Sequence, residues 1–461
     1  MKLAKFLLIP LIAIVLFSCQ DKEDKLPSVD PDSNAAANRW ILGVMKQVYF
    51  WVENMGTPIA ETSDPEDYFE ALLFRPTDRF SAIFPNYQEL INSLNGINLD
   101  AGYEFILFRE NPTGNNVVAE ITYIKKNSPA SNVNLRRGDV ITQINGKTIT
   151  INNFRDLLKE IDGLHTLSYL RFDKEAQAFV AQADVSLTAV QLAEKPNFLD
   201  TVYTLNNEKI GYVVYHFFAP GPGQNSTVYD NEMDAIFAKF KAANIDHLIV
   251  DFRYNGGGFV SSAVNLASLI APGVGSASVF SKTKYNKFLT ENVEGLRNAQ
   301  TLFRNKAQNL GNTLEGNRVY ILTSSRTASA SELIINGLKP YMDVFIIGDK
   351  TTGKNVGSVA FEDEENEENL YGILPIISQS FNSLDQSDYS NGFTPNITIK
   401  ESQERLRPFG DVTELLLRTA ISHITGLPTG ARFQQLDRID VGSTLDTKIR
   451  AGLMLESPIG K

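Results

Sequence analysis

The hydrophobic pattern changes period several times along the chain, and each change marks a candidate boundary. Residues 6–17 form an apolar run broken only by Pro10, with Lys2 and Lys5 before it. Residues 20–34 (QDKEDKLPSVDPDSN) have two prolines and no apolar period, the pattern of a tether. A helix is predicted from Ser33, with Trp40, Val44, Val48 and Trp51 near one face. DPEDYFEALLF predicts a second helix and PTDRFSAIF leads out of it, so residues 33–96 are expected to form a small helical module.

Residues 97–190 change character. AGYEFILF and NVVAEITYI predict strands, and NSPASNVNLRRGDVITQINGKTIT sets turn signals around a strand at 140–144. Phe154, Leu157, Leu158 and Ile161 then recur at i, i+3, i+4 and i+7, an amphipathic helix. A compact α+β module is expected here.

From 200 to 425 strand and helix patterns alternate. KIGYVVYHFF, IDHLIVDFR, NRVYILTSS and DVFIIGDK predict strands. Met233, Ile236, Phe237 and Phe240, residues 260–270, and ASASELIINGLKPY predict helices between them. That alternation predicts an α/β domain with a largely parallel sheet, whose sites lie at the carboxyl ends of the strands. EDEENEEN at 362–369 is expected to be a solvated hairpin tip rather than a metal site. Residues 426–461 are punctuated by Gly and Pro and predict no element.

Composition narrows the function classes. The chain has 461 residues, 43% of them hydrophobic, enough for several cores. Its net charge of −11 argues against a nucleic-acid partner, which demands a basic surface. The only cysteine is Cys19, directly after the apolar run. A basic start, a short apolar core and small residues before the break predict a signal peptide at 1–18. LFSC resembles the lipobox of bacterial lipoproteins, which implies cleavage before Cys19 and acylation of its thiol. The expected mature chain is then tethered by residues 19–32, has no disulfide and is held to a membrane through lipid on Cys19. QDKED after the cysteine resembles the export signal of surface lipoproteins. The expected location is the cell envelope, most simply the outer membrane.

Three strand ends carry unusual residues. DFRYNGGG (251–258) follows a buried strand, and its glycines let backbone N–H groups approach a ligand closely, although a tight turn would use the same letters. TSSRTASASEL (323–333) crowds small residues at a helix start, where N–H groups and the helix dipole favour negative charge. Ser329 and Glu332 there also spell S-x-x-E, a capping box. GDKTTGKN (348–355) is one letter short of a phosphate loop. Asn355 stands where that loop has a hydroxyl, a strand rather than a helix is predicted next, and Asp349 would face phosphate; no nucleotide is expected. A serine nucleophile needs a base. None of His165, His216, His247 and His423 lies in a triad-like motif, whereas Lys354 serves if desolvation lowers its pKa toward neutrality. SKTK at 281–284 offers a second serine–lysine spacing, but a penicillin-binding-type enzyme needs that motif to open a helix, and no helical face is present.

DFRYNGGG, TASASELIINGLKP and IIGDKTTGKN, in this order, resemble the C-terminal processing (tail-specific) serine proteases, and the likeness extends over residues 33–425. SPASNVNLRRGDVITQINGKTI resembles the core of a PDZ domain. The resemblance implies an α/β protease domain with a largely parallel sheet (200–425), an α+β PDZ domain (97–190), an N-terminal helical module (33–96) and a C-terminal extension (426–461). It implies Ser329 as nucleophile, Lys354, 25 positions later, as base, and Glu332 as supporting acid. It implies an oxyanion hole from the N–H of Ala330 and one glycine of 256–258, taken as Gly257. Asn355 and Thr327 depart from the family's usual glycine and serine. Gly102, Tyr103, Glu104 and Phe105 occupy the place of the PDZ carboxylate-binding loop, which implies protein or peptide substrates recruited by free C-termini; Glu104 is a charge departure there. No metal and no other cofactor is implied. The alternative from another class is a non-catalytic, PDZ-containing peptide-binding lipoprotein with a protease-like fold.

Overall fold

The computed structural model describes residues 31–223, 225–428, 436–448 and 452–456. The expected signal peptide at 1–18, Cys19 and the expected tether up to Asp30 lie outside the described residues.

A six-stranded sheet forms the centre of the protease region. Its order is Asn197–Leu205, Glu208–Tyr215, His247–Asp251, Arg318–Thr323, Asp343–Gly348 and Ile397–Thr398. Only the first pair is antiparallel. These strands read as near-continuous apolar runs because both faces are covered. Leu248, Val250, Val319 and Ile321 pack against helices Val228–Ala243, Val260–Ile270 and Ala330–Leu338, whereas the alternate Ile249, Tyr320 and Leu322 pack against helix Leu415–Thr425. The largely parallel α/β architecture is therefore present.

A second six-stranded sheet has the order Gly258–Phe259, Met454–Leu455, Val356–Ser358, Ile376–Asn382, Val279–Tyr285 and Ala299–Leu302. Ser281 and Lys284 lie within the Val279–Tyr285 strand, paired on both sides, so the SKTK spacing opens no helix. Val356–Ser358, directly after Lys354, is also a strand, and the loop at 348–355 therefore lacks the helix a phosphate site uses.

The PDZ sheet contains Tyr103–Arg109, Val117–Ile124, Val140–Ile144 and Leu164–Asp173, flanked by helix Phe154–Glu160. Its outer edge is covered. Asp440–Ser443, from the segment whose sequence predicts no element, pairs antiparallel with Tyr103–Arg109.

The N-terminal module begins with helix Pro31–Val48. Ile41, Met45 and Val48 are buried along it, with Trp40 and Val44 packed at the margin. Trp51 lies beyond the helix end, in a turn, so the predicted face is shorter than its tryptophans suggest. Asp64 caps helix Pro65–Leu72 by accepting the Glu66 N–H, and Pro65 fits its first turn. Strand Ala82–Phe84 pairs with Gly372–Leu374 and ties the module to the protease region.

Candidate active site

The strand Arg318–Thr323 ends in a turn held by side chains. Thr327 Oγ1 donates to the carbonyl of Phe252 at 2.8 Å and accepts the Ser324 N–H at 2.9 Å. The Ala328 N–H and Ser331 Oγ both donate to the Asn255 carbonyl. Thr327, a departure from the family pattern, thus keeps the hydroxyl that this turn uses. Beneath the adjacent glycine loop, Arg253 is buried and its guanidinium binds Asp251 at 2.6 Å and Glu414 at 2.6 Å, fixing the strand end.

Ser329 follows at φ 62°, ψ −115°, a conformation that L side chains rarely adopt, just before helix Ala330–Leu338. Such strain persists only where surrounding contacts enforce it. Only the glutamate half of the capping box is needed to explain the helix start: Glu332 accepts the Ser329 N–H at 2.9 Å, while Ser329 Oγ has no hydrogen-bond partner among the described residues. The hydroxyl is left for other chemistry. Ala330 is the first helical residue, so its N–H lacks an intrahelical acceptor.

The second loop leaves strand Asp343–Gly348. Gly353 has φ 89°, and a Cβ there would fall 2.5 Å from the backbone of both Ser390 and Gly392, so the loop packs only with glycine. Asn355, the other departure, donates from Nδ2 to the Ser387 carbonyl at 2.9 Å and anchors the loop's far side. Lys354 between them has 0% exposure, and its Nζ has no hydrogen-bond partner among the described residues. Burial pulls its pKa down to about 7, against the raising effect of the Asp78 and Glu332 charges.

Glu332 joins the two loops. One carboxylate oxygen accepts the N–H groups of Ser329 and Lys354, at 2.9 and 2.8 Å. The other accepts the Gly353 N–H at 2.7 Å and the Thr351 hydroxyl at 2.6 Å. The backbones of Ser329 and Lys354 therefore meet at a single atom. Burial pushes the Glu332 carboxyl up, and these four hydrogen bonds oppose that rise.

The glycine loop completes the cluster. A Cβ on Gly257 would lie 2.6 Å from Ser329 Cβ and 2.5 Å from the Leu453 carbonyl oxygen, so only glycine permits this approach. The Gly257 N–H itself donates to Asn255 Oδ1 at 2.9 Å, and it is the Gly258 N–H that donates to Leu453 O, at 2.7 Å. The histidines stand apart from the Ser329–Lys354 pair. His165 bonds Tyr103, His247 bonds Glu208, His423 bonds Tyr320, and His216 packs between Tyr123 and Phe198 on the rim of the cavity in front of Gly257.

The model described as peptidase family S41 matches residues 209–399, that of the peptidase S41 N-terminal domain matches 36–82, and that of a PDZ domain matches 120–171. The chain belongs to peptidase family S41. A solved chain from Bacteroides fragilis NCTC 9343, assigned to the S41 proteases, superposes with a TM-score of 0.71 and 27% identity, covering 84% of this chain and 97% of that one. A "Probable CtpA-like serine protease" of Staphylococcus aureus is 23% identical over 283 residues, 60% of this chain and 49% of that protein. Its Staphylococcus epidermidis namesake is 23% identical over 240 residues. The S41 chain spans about half the length of the curated relatives it matches.

In this S41 chain, residues outside the motifs finish the site. Lys354 Nζ lies 5.0 Å from the centre of the Phe80 ring. Arg79 Nη2 donates to the carbonyls of Gly353 at 3.0 Å and Ser390 at 3.1 Å. Asp78, buried, accepts the N–H groups of Phe80 and Ser81 and the Tyr49 hydroxyl. The N-terminal module therefore roofs the lysine, which no local sequence pattern signals.

The proposed carboxylate loop of the PDZ domain is engaged within the chain. Gly102 N–H donates to Asp100 and Phe105 N–H to Thr444 Oγ1, at 2.6 and 3.0 Å. Tyr103 is buried against His165. Glu104 is buried and contacts Lys125, Lys448 and the Thr444 hydroxyl. These contacts explain the charge departure, since Glu104 faces two ammonium groups.

Proposed function

We propose that the chain is a serine endopeptidase working through a Ser329/Lys354 dyad. The observation that carries this reading is a buried lysine amine joined through Glu332 to a strained serine, neither Lys354 Nζ nor Ser329 Oγ having a hydrogen-bond partner among the described residues. Neutral Lys354 removes the Ser329 proton as the oxygen attacks a peptide carbonyl. The Ala330 N–H, joined by the Gly257 N–H once it leaves Asn255 Oδ1, stabilises the tetrahedral oxyanion. Protonated Lys354 then gives its proton to the leaving amine; neutral again, Lys354 takes a proton from water as it attacks the acyl-enzyme and returns that proton to the Ser329 oxygen as the acid product leaves. Glu332 is a positioning residue that sets both loops in register. The PDZ domain recruits protein substrates by their C-terminal tails, and lipid on Cys19 holds the enzyme to the cell envelope, at the outer membrane.

Purified wild type and Ser329→Ala, each given an unfolded protein with an apolar C-terminus, test the reading. Cleavage by the wild type alone is expected, together with fluorophosphonate labelling at Ser329. Equal absence of cleavage and of label in both would favour a binding protein with a protease-like fold.

A further inference from the structure

A peptidase must admit an extended chain to its nucleophile, yet Ser329 and Lys354 are both at 0% exposure. The N-terminal module covers Lys354, and the C-terminal segment closes the side next to Ser329. Met454–Leu455 lies between Gly258–Phe259 and Val356–Ser358, the strands that leave the glycine loop and the lysine loop, and is parallel to both. The Leu453 carbonyl accepts the Gly258 N–H, and the Glu456 N–H donates to Ser358 O at 3.0 Å. Leu453 O and Ser329 Cβ both lie within 2.6 Å of the point a Gly257 Cβ would occupy. Met454 enters the main core on one face, while Leu453 and Leu455 pack with Leu90, Leu94 and Leu374 on the other.

A second stretch latches this one in place. Asp440–Ser443 is added to Tyr103–Arg109, the edge a PDZ domain offers to an extended peptide. Lys448 reaches Glu104 and, at 3.4 Å, Asp100. Arg326, three residues before the nucleophile, binds Asp446 at 2.8 Å and Asp440 at 3.0 Å. Leu445, Asp446, Lys448 and Gly452 form one wall of the 310 Å³ cavity in front of Gly257.

We propose that the slot between Gly258–Phe259 and Val356–Ser358 is the substrate-strand site, and that the stretches 440–448 and 452–456 are a resident pseudo-substrate that must be displaced before cleavage. This rests on the peptidase reading for its consequence, and on the strand pairing alone for its occupancy. The slot selects an extended segment with alternating large apolar side chains, one face entering the Met454 pocket. Because the occupant is tethered, it competes at an effective concentration on the order of millimolar, which a free peptide meets only when the latch is weakened.

Two experiments on the full chain test it. In a Ser329→Ala background, a fluorescein-labelled Gly452–Glu456 peptide is titrated by anisotropy with and without Lys448→Glu, which sets like charge against Glu104. Binding at least about tenfold tighter to the Lys448→Glu chain is expected; equal affinity, or no binding to either, overturns the proposal whatever the catalytic outcome. In the active chain with Cys19→Ser, the register partners Ile106 and Ser443 are both changed to cysteine. Cleavage of an unfolded protein is expected to fall at least about tenfold on oxidation and to return with dithiothreitol, and undiminished cleavage by the oxidised chain overturns it. A chain that never cleaves fails the peptidase reading, and the anisotropy result still decides the slot.

Discussion

Replacing Lys354 with methionine should make the protein more stable while removing its activity. In the unfolded chain the amine has its ordinary pKa near 10.4. In the folded chain burial lowers it from 10.5 to about 7. Between about pH 7 and 10.5 the unfolded state therefore binds more protons than the folded state, and stability declines as pH falls through that window. One pKa unit corresponds to about 1.36 kcal/mol, so the folded state at neutral pH bears a penalty of about 4 to 5 kcal/mol. Methionine fills similar volume without a charge to desolvate. No side-chain hydrogen bond is lost, because Nζ makes none among the described residues. Urea unfolding followed by circular dichroism should show Lys354→Met about 3 to 5 kcal/mol more stable than wild type at pH 7, the gain vanishing near pH 11. Peptide cleavage should fall by about 10²–10⁴-fold or more, the contribution expected of a general base. A midpoint below wild type at pH 7, or a gain that does not change with pH, would refute the reasoning. So would an NMR resonance of Lys354 Cε titrating near 10.5.

Three further outcomes follow from the same contacts. Wild-type kcat/KM should rise with pH through about 7 as Lys354 loses its proton, and Phe80→Ala, which opens the lysine to water, should move that limb upward and lower activity at pH 7 with recovery at higher pH. Glu332→Gln replaces one of two acceptor oxygens by an amide donor, so two of its four donors lose their partner; a loss of about 2 to 4 kcal/mol is expected in urea, and the limb should shift downward because a charge that raises the Lys354 pKa is gone. Glu456 is half-buried, and burial raises its carboxyl from 4.5 to about 7, so its docked state is favoured below about pH 4.5 and weakens as pH rises through 7. Glu456→Gln should increase amide protection of residues 452–456 at pH 8, by about 2 kcal/mol after allowance for that exposure, and leave it unchanged at pH 4; equal effects at both values would count against it.

The elements legible in the sequence were those whose cause is local. Helix Val260–Ile270, the helix after Ser329, and the strands ending at Asp251, Thr323 and Gly348 follow from apolar period and flanking turn residues. Ser329, Lys354, Glu332, Ala330 and Gly257 are brought to one place, with the Gly257 N–H turned to Asn255 instead of outward. What the sequence did not reveal depends on long-range pairing. Arg79 meets a loop 274 positions away, and nothing in PTDRFSAIF announces it. Asp440–Ser443 and Met454–Leu455 are too short for a period of two to register, and their partners supply the hydrogen bonds that make them strands. Trp51 fits the helical spacing of Trp40, Val44 and Val48, yet the helix stops at Val48.

These distant segments bear directly on the chemistry. A lysine becomes a base at neutral pH only when water is excluded from its amine, and the protease sheet by itself leaves that amine dependent on its neighbours. Phe80 covers it from the N-terminal module, and the segment around Met454 lies in the adjoining slot. On the proposal that this slot takes the substrate strand, the resident segment that fills it also bars an extended substrate from Ser329. Exchange of one strand for another resolves the conflict: a substrate strand lying where Met454–Leu455 lies excludes water equally well. On that account the base stays dry when a suitable strand is present and becomes protonated when the slot is open. Catalytic competence is then tied to substrate occupancy by desolvation, once the contacts of Lys448 and Arg326 have released the resident strand.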